Sequence, residues 1–414
     1  MNKKYVGLLA SAGALCLPSL ANAAGPSLSE VLVNSGITAA GYVDASYDAT
    51  FNRTGGATGG QVPLHAFDTN SNTFELNQAA LTLSYLPTDG FGALVNVIAG
   101  EDAKVINGSY SPGSASDFAL TQGYVQYAHG PWTAIGGRFV TLAGAEVIDD
   151  TKNTNISRSL LFTNLEPLVH TGVRGGYKFS DLVTGYLGVN NSAIAGLSQD
   201  ENKPKTVEVG AAITPSSAVS ISLVDYYGVD KISGTQTKNN YFDIVGSWQA
   251  TSALQFVLNG DYVRGIGSLD TTPFPVLANA TLGAGGPVTQ ATKGLATGEG
   301  LAFYVNNQFN DSWKGSLRAE YTYFKGSPTA YNGSGIAHVA ELTATADYSA
   351  SKNFDLLGEV REDYGSVIAP VGALPGDGNI GVFPNTANAA GGVQKSQTEV
   401  LVKAIYKFGT PTGS

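Results

Sequence analysis

The sequence predicts an all-β protein, a transmembrane antiparallel up-and-down β-barrel of about 16 strands, with 14 or 18 strands also open. Three observations predict this fold. Apolar and polar residues alternate with the two-residue period of a β-strand through most of the chain. The connections between these runs are short and long by turns. After the N-terminal segment, no stretch of 18 or more apolar residues could form a helix that crosses a bilayer.

Residues 1–23 have the pattern of a cleaved secretory signal peptide. Lys3 and Lys4 precede an apolar run from 6 to 17, and the residues Ala-Asn-Ala at 21–23 match a signal-peptidase site. A membrane anchor is the alternative, but about 12 apolar residues are too few to span a bilayer. Because Cys16 is the only cysteine, we expect an exported chain without disulfides.

Residues 24–35 form a short segment ahead of the barrel, for which a helix and a mobile leader are equally open. Ser27 and Glu30 have the spacing of a capping box, and apolar residues follow at helical spacing. The barrel itself is predicted over 36–408. Residues 409–414 remain as a C-terminal tail.

The strand-like runs are each about 8 to 14 residues long, enough to cross a bilayer at a tilt. In the last run, the alternation places Val400, Val402, Ala404, Tyr406 and Phe408 opposite Glu399, Lys403 and Lys407, with Leu401 and Ile405 as apolar exceptions on the polar side. The runs begin near residues 37, 73, 92, 118, 132, 170, 182, 206, 218, 240, 253, 300, 313, 338, 354 and 397.

The connections predict that one end of the barrel carries all the long loops and the other end carries periplasmic turns. A secreted β-sandwich is the alternative, but it does not explain this alternation, and no fixed repeat indicates a β-helix. The short turns are 87–90, 129–131, 180–181, 215–217, 250–252, 310–312 and 349–353. The long loops are 52–72, 101–117, 141–169, 192–205, 228–239, 265–299, 325–337 and 365–396.

Aromatic residues on the apolar parity predict two girdles at the membrane interfaces. Those beside the short turns or at the chain end are Tyr85, Tyr127, Phe179, Trp248, Phe309, Tyr348, Tyr406 and Phe408. Those toward the long loops are Tyr47, Tyr227, Tyr262, Tyr323 and Tyr364. Three acids, Glu75, Asp225 and Glu362, fall on the same apolar, lipid-facing side of the predicted strands. We expect water or headgroups near a loop end to reach them, or a β-bulge to reset the parity.

Charged residues on the opposite parity indicate an aqueous channel, because burying them in a dry interior would be prohibitive without pairing. Ion pairs across the wall are the alternative. The inward set comprises Arg138, Arg174, Arg318, Arg361, Lys178 and Lys403, with Asp44, Glu208, Asp243, Asp261, Glu320, Glu341, Glu359, Asp363 and Glu399.

The loop 141–169 stands apart, because it is mainly apolar and partly acidic. Folded into the lumen, its acids Glu146, Asp149, Asp150 and Glu166 would oppose wall arginines and create a transverse field that sorts permeants. Its apolar anchors would be Leu160, Leu161 and Phe162. The candidate pore-lining residues are Arg138, Glu146, Asp149, Asp150, Arg158, Arg174, Arg318, Glu320, Glu359 and Arg361.

The sequence contains no motif that indicates catalysis, a metal or a cofactor. Its four histidines are scattered, and HExxH, CxxC and phosphate-loop patterns are absent. A barrel hydrolase with His170 and Ser157 or Ser159 is the enzyme alternative, but nothing in the sequence fixes their geometry. The 33 acidic residues against 21 basic ones, once Lys3 and Lys4 are removed, disfavour nucleic acid as a partner.

Four phrases, "FELNQAALTLSYLP", "GGRFVTLAGAEVI", "NISRSLLF" and "HTGVRGGYKF", resemble the OmpL-like outer-membrane β-barrel porins of Gram-negative bacteria. The resemblance runs from about Gly36 to Phe408 and is strongest through residue 180. The final aromatic strand also resembles the C-terminal signal of outer-membrane proteins, but it departs from the usual form because "GTPTGS" follows Phe408. The family resemblance implies a barrel in the bacterial outer membrane and a diffusion channel, but it supplies no substrate and no functional residues.

From these observations we expect a passive channel for small hydrophilic solutes or ions. The excess of acids predicts a mild cation preference if the acids line the constriction. Resemblance to general 16-stranded porins implies a homotrimer. The alternative function is a non-conducting barrel that serves as a structural anchor or as an adhesin through its loops, although loops with few aromatic and charged residues are poor binding surfaces.

Overall fold

The structure, a computed structural model, describes most of the barrel. The described residues are 32, 34–51, 62, 64–110, 116–194, 202–232, 235–268, 293–327, 335–368, 379–381, 383–385 and 392–409. The predicted signal peptide and residues 410–414 of the predicted tail lie outside them. Of the segment 24–35, only residues 32, 34 and 35 are described, and these three are helical.

Sixteen antiparallel strands close into an up-and-down barrel, as predicted. Each strand pairs with its neighbours in sequence, and β1 pairs with both β2 and the last strand, β19. The first eight are β1 (Thr38–Phe51), β2 (Thr73–Tyr85), β3 (Gly90–Ala99), β4 (Phe118–His129), β5 (Trp132–Val140), β6 (Val169–Lys178), β7 (Val183–Asn190) and β8 (Thr206–Ser216). The others are β9 (Val219–Ile232), β10 (Thr235–Gln249), β11 (Leu254–Ser268), β12 (Lys293–Gln308), β13 (Trp313–Ser327), β14 (Gly335–Ser351), β15 (Phe354–Ile368) and β19 (Ser396–Gly409).

Three further strands of three residues each lie between β15 and β19. They are β16 (Asn379–Gly381), β17 (Phe383–Asn385) and β18 (Gly392–Gln394). The first extends the pairing of β15, and the other two form a small hairpin. They lie at the long-loop end and do not change the count of strands that close the barrel.

Fourteen of the 16 predicted strand starts lie within three residues of the observed ones, but β10 and β12 begin earlier than predicted, and several strands extend farther at the long-loop end. The predicted loop 228–239 is wrong, because β9 continues to Ile232 and β10 begins at Thr235. In the predicted loop 265–299, β11 likewise continues to Ser268 and β12 begins at Lys293. Beyond the hydrocarbon layer the outward side chains need not be apolar, so the alternation fades while the backbone pairing continues.

Two helices lie in the long connections. Helix α1 (Glu101–Tyr110) occupies a stretch predicted as an irregular loop, and it packs against β2, β3 and β4 with Ala103 and Ile106 fully buried. Helix α2 (Leu160–Asn164) follows a 3-10 turn at Asp150–Lys152 in the connection between β5 and β6. Among the described residues, no helix has the length and apolarity needed to cross a membrane.

The outer face of the barrel is the apolar one, as predicted. In β19, Val402, Tyr406 and Phe408 are exposed, whereas Leu401, Lys403 and Ile405 are buried inside. All eight aromatic residues predicted beside the short turns or at the chain end are exposed, between 38% and 68%. These rings therefore form the girdle at the short-turn end of the barrel.

The three acids on the lipid-facing parity have different explanations. A bulge in β2 shifts the register between Asp44 and Ala45, so that Glu75 points inward between the exposed Phe74 and Leu76. No such shift occurs near Asp225, which stays on the outer face and accepts a hydrogen bond of 2.6 Å from Asn240.

Glu362 also stays on the outer face. It lies near the long-loop end of β15, beside the exposed Tyr364, and it accepts a hydrogen bond from the Thr398 hydroxyl. Of these three acids, only Glu75 is turned inward by a β-bulge.

The interior of the barrel is filled by three inward segments: residues 62 and 64–68, helix α1 and residues 141–168, which we call the lumen loop. Two apolar clusters join these segments to the wall. One packs Leu160, Leu161 and Leu165 against inward residues of β9–β14, which include Tyr226 and Tyr241. The other combines residues of all three segments with inward residues of β1, β15 and β19, which include Leu401 and Ile405. The two apolar exceptions in the last strand thus contact the loops inside the barrel.

Candidate functional site

The lumen loop crosses the barrel from its origin between β5 and β6 to the opposite wall. Near its start, the backbone N–H of Leu142 donates to the Tyr226 hydroxyl of β9 at 3.1 Å. The N–H of Ala145 donates to the Asn259 side-chain oxygen of β11 at 2.7 Å. Farther along, the loop contacts β13, β14, β15, β19 and β1. Its folding into the lumen brings the two sides of the barrel into one polar network.

Two wall carboxylates accept hydrogen bonds from the backbone of the lumen loop. Glu320 on β13 accepts from the N–H of Leu160 at 2.7 Å and of Leu161 at 3.3 Å. Glu359 on β15 accepts from the N–H of Ile156 at 2.6 Å and of Ser157 at 2.9 Å. The first N–H groups of a helix have no partner within it, and Glu320 supplies one for α2.

Two wall arginines hold the carbonyl oxygens and acids of the same loop. Arg318 Nη1 donates to Glu146 Oε1 at 2.7 Å and to the Ser157 carbonyl at 2.8 Å. Arg318 Nε also donates to Glu341 Oε2 on β14 at 2.8 Å. Arg361 Nη1 donates to the Arg158 carbonyl at 2.6 Å. A guanidinium suits this role, because its five donors reach several acceptors at once.

The lumen loop also carries its own ion pair, between Arg158 and Asp150. Arg158 lies over the rings of Phe67 and Phe162, with its guanidinium carbon 5.2 and 5.6 Å from their centroids. Asp150 contacts both Arg158 and Lys403 of β19. Burial acts to raise the pKa of Asp150, but the charges of Lys403 and Arg158 outweigh it and hold that pKa below its usual range.

A second cluster surrounds His65, one of the four scattered histidines, which lies in the predicted loop 52–72. His65 Nδ1 lies 2.6 Å from Asp68 Oδ2, and Nε2 lies 2.8 Å from Asp363 Oδ2. Glu399 Oε2 is 3.2 Å from Nδ1. Burial and Arg361 lower the pKa of His65, but Asp68, Glu399 and Asp363 outweigh them and raise it well above its usual value.

The structure brings most of the sequence-predicted site residues together. Seven of the ten form one contiguous network: Glu146, Asp150, Arg158, Arg318, Glu320, Glu359 and Arg361. Arg174 lies apart on β6, where its Nη2 donates to Glu208 Oε2 at 2.9 Å. Asp149 lies on the loop near the exposed Lys152. The strand register pairs Arg138 with Thr171 on β6, and Arg138 is only partly buried, unlike the seven residues of the network.

The seven charged residues of the network are buried and paired, which weakens the case for an aqueous channel that was based on inward charge. None of the seven network residues is more than 5% exposed. Their charges face one another and the loop backbone rather than water, so the inward charges do not by themselves indicate a wide aqueous channel. Paired carboxylates and guanidinium groups can be buried because each desolvated charge has several partners.

A polar cavity of about 360 Å³ lies at the short-turn end of the lumen, beside the tip of the lumen loop. The 3-10 turn contributes Thr151 and Lys152, and the wall contributes Asn306, Lys314 and Ser316 among others. Lys152 is 69% exposed and Lys314 is 49% exposed. The cations at this cavity are thus far more accessible than the acids of the network.

The residues of the alternative hydrolase site are not joined to one another. His170 stacks on Tyr226 with centroids 4.3 Å apart, and its Nδ1 lies 3.3 Å from the Ser192 carbonyl. The Ser157 hydroxyl accepts from Arg318, and that of Ser159 accepts from the N–H of Phe162. No hydrogen bond between His170 and either serine occurs in the described part of the chain, and the absence of enzyme activity stays a prediction.

A closed 16-stranded barrel with an apolar, aromatic-girdled outer face defines an outer-membrane β-barrel protein of the porin class. The chain belongs to the family described as "Putative beta-barrel porin-2, OmpL-like", whose profile matches residues 36–408. The resemblance stated from the sequence is therefore confirmed, and so is the outer-membrane location. Among curated proteins, none matches the chain at a significant level.

Several solved porins share the fold. An anion-selective porin from Comamonas acidovorans is 12% identical, with a TM-score of 0.56 over 90% of this chain and 99% of that one. OmpT of Vibrio cholerae is 11% identical, with a TM-score of 0.55 over 90% and 97%. The channel DcaP of Acinetobacter baumannii is 10% identical, with a TM-score of 0.54 over 90% and 97%. At these identities the similarity shows the fold alone.

Proposed function

We propose that the protein is a passive diffusion channel for small hydrophilic solutes or ions, narrowed by the lumen loop. The observation that carries this proposal is the attachment of the loop to opposite walls. The loop leaves the barrel between β5 and β6, and Glu320 and Glu359 hold its backbone on β13 and β15 across the lumen. A segment bound at both walls reduces the open cross-section and limits the size of a permeant.

The cavity beside the loop tip supports small, polar permeants. Its volume of about 360 Å³ is at the lower end of the range for sites that hold small molecules. The lining is mainly hydroxyl, amide and charged groups, with Ala253, Leu357 and Ile405 as its apolar side chains. Such a surface replaces part of the hydration shell of a polar solute and offers little to an apolar one.

The lining of the cavity holds three acids and three lysines, so its formal charge is balanced and does not supply the excess of acids that the mild cation preference predicted from composition requires. The prediction required acids at the constriction, but Glu146, Glu320 and Glu359 are buried in the loop network. Lys152 and Lys314 are exposed, but they are paired with Asp149 and Asp347.

Planar-bilayer recording on the purified protein tests this proposal. We expect discrete conductance steps from the wild-type chain, and larger steps after deletion of residues 147–158, which removes the tip of the loop. An unchanged step size would contradict the narrowing role. Folded protein that inserts but never conducts would contradict the channel and favour the anchor or adhesin alternative. Detergent without protein is the control for bilayer leakage.

We also propose a homotrimer, which the resemblance to general porins implies. A form of Vibrio cholerae OmpT with this barrel fold is described as a trimer. Chemical cross-linking of the detergent-solubilised protein would give a ladder that ends at three chains. A single band at one chain, under conditions that cross-link a known trimeric porin, would contradict this assembly.

A further inference from the structure

Three buried carboxylates converge where the lumen loop meets the wall of β10 and β11. Glu166 lies near the end of the loop, and Asp243 and Asp261 are directly paired across the two strands. The three side chains are 7%, 0% and 5% exposed. Each offers one oxygen, and these oxygens lie within 4.8 Å of one another. This group, which we call the acidic triad, is outside the network already described.

In the described part of the chain the acidic triad has no positive partner, unlike Glu146 and Asp150 of the lumen loop. Within the described ranges, no Lys, Arg or His nitrogen lies within 4.0 Å of its oxygens, whereas Asp150 contacts both Arg158 and Lys403. The second group with metal-like spacing, His65, Asp68 and Glu399, contains its own cation. Unpaired negative charge in a buried position is costly, so the triad must bind a proton or another cation.

Each member of the triad keeps a buried oxygen that no donor reaches. These atoms are Glu166 Oε1, Asp243 Oδ1 and Asp261 Oδ2. The neighbouring donors serve other oxygens: the Tyr241 hydroxyl donates to Asp261 Oδ1 at 2.8 Å, and Asn259 Nδ2 donates to Asp243 Oδ2 at 2.7 Å. Three carboxylates that converge and each keep an orphaned oxygen, with side chains more than nine-tenths buried, point to a ligand that accepts lone pairs.

We propose that Glu166, Asp243 and Asp261 bind a hard divalent cation, Ca²⁺ by size and ligand chemistry, which ties the lumen loop to the wall. An all-oxygen set of carboxylates is the chemistry of Ca²⁺ and Mg²⁺, whereas the softer metals favour imidazole and thiolate ligands. Ca²⁺ takes its ligands at about 2.3–2.6 Å in flexible geometry, so oxygens up to about 5 Å apart fit around it. Mg²⁺ requires a tighter octahedron.

The backbone at the start of the loop is shaped around the same carboxylate. Gly144 has a φ of +85°, and a Cβ there would lie 2.0 Å from Glu166 Oε2. Only glycine tolerates both that conformation and that approach. Gly144 and Glu166 lie near the two ends of the lumen loop, so a cation at the triad fixes both ends against β10 and β11. This inference is independent of conduction.

Terbium luminescence tests the site in the full-length protein, because Tb³⁺ replaces Ca²⁺ and is sensitised by a nearby phenol such as that of Tyr241. After chelation and removal of the chelator, we expect emission that saturates near one Tb³⁺ per chain. Ca²⁺ should displace the ion at lower concentration than Mg²⁺. Absence of saturable emission from the folded wild type, or stronger competition by Mg²⁺, would overturn the proposal.

Matched variants assign the emission to the triad. Asp261→Asn and Glu166→Gln should each weaken Tb³⁺ binding at least tenfold, whereas Asp149→Asn, at a more exposed acid of the same loop, should not change it. Two triad variants are used because one of them could fail to fold. Added Ca²⁺ should raise the thermal unfolding temperature of the wild type and of Asp149→Asn but not of the triad variants. Equal binding by all the folded variants would refute the assignment.

Discussion

Replacing Glu359 by glutamine removes the acceptor that holds the middle of the lumen loop on the far wall. The carboxylate is 2% exposed and accepts three hydrogen bonds. Two come from the N–H groups of Ile156 and Ser157, and the third comes from the Thr345 hydroxyl at 2.6 Å. Glutamine has nearly the same shape, but one of its terminal atoms is a donor, so one loop N–H group then faces an N–H group.

The magnitude follows from the number of bonds changed. A hydrogen bond to a charged group contributes about 1.5–3 kcal/mol, and a neutral one about 1 kcal/mol. Losing one charged bond and weakening the others costs the docked loop roughly 3 kcal/mol. That energy corresponds to a change of about 100-fold in the ratio of docked to released loop. The released state should then become frequent enough to observe in single-channel records.

Single-channel recording should show Glu359→Gln switching into a higher-conductance state that the wild type visits rarely. Glu362→Gln is the matched control, because Glu362 lies on the same strand but on the outer face, bonded to Thr398. It should conduct like the wild type. If Glu359→Gln folds, conducts without the additional state and melts at the wild-type temperature, the loop is not held by this carboxylate.

Three other substitutions test the outer face, the pH response and the charge preference. Val402→Lys places a charge on the lipid face and should cost about 2–4 kcal/mol, seen as lost folding into vesicles on heat-modifiability gels. Burial and the charge of Asp150 raise the pKa of Asp102 to about 7. The stability that Asp102 contributes is therefore present below about pH 4 and is lost as the pH rises through 7. The unfolding midpoint of the wild type should therefore fall between pH 4 and 7 by more than that of Asp102→Asn; parallel curves would contradict this. Lys152→Ala should shift the reversal potential in a salt gradient toward cations, and no shift would exclude Lys152 from the permeation path.

The outer face of the barrel could be predicted from the sequence because lipid acts on every strand in the same way. Each outward residue meets the same hydrocarbon, so residues such as Val402 and Tyr406 recur at a fixed period. The strand ends at the long-loop side could not be predicted to the same accuracy. There the outward residues of β9 and β10 meet water, and pairing no longer requires an apolar pattern.

The inward face could not be assigned from the sequence, because its partners are set by how the loops fold. Tyr226 is inward because the lumen loop covers it. The pairing of His65 with Asp363 joins residues 298 positions apart, and nothing local to either residue indicates it. The charged positions of the wall were recognised from their parity, but their burial depends on these distant contacts. The sequence places Glu166 among the acids of a loop, but it does not indicate that Asp243 and Asp261 lie beside it.

The wall contacts of the lumen loop also constrain the order of assembly. Residues 156, 160 and 150 of the loop bind Glu359, Glu320 and Lys403, which follow them in the chain by 203, 160 and 253 positions. These three contacts can form only when β13, β15 and β19 lie beside the loop. The seam between β1 and β19 also needs the last strand. Sealing the barrel and completing the contacts of its internal loop therefore both depend on β19.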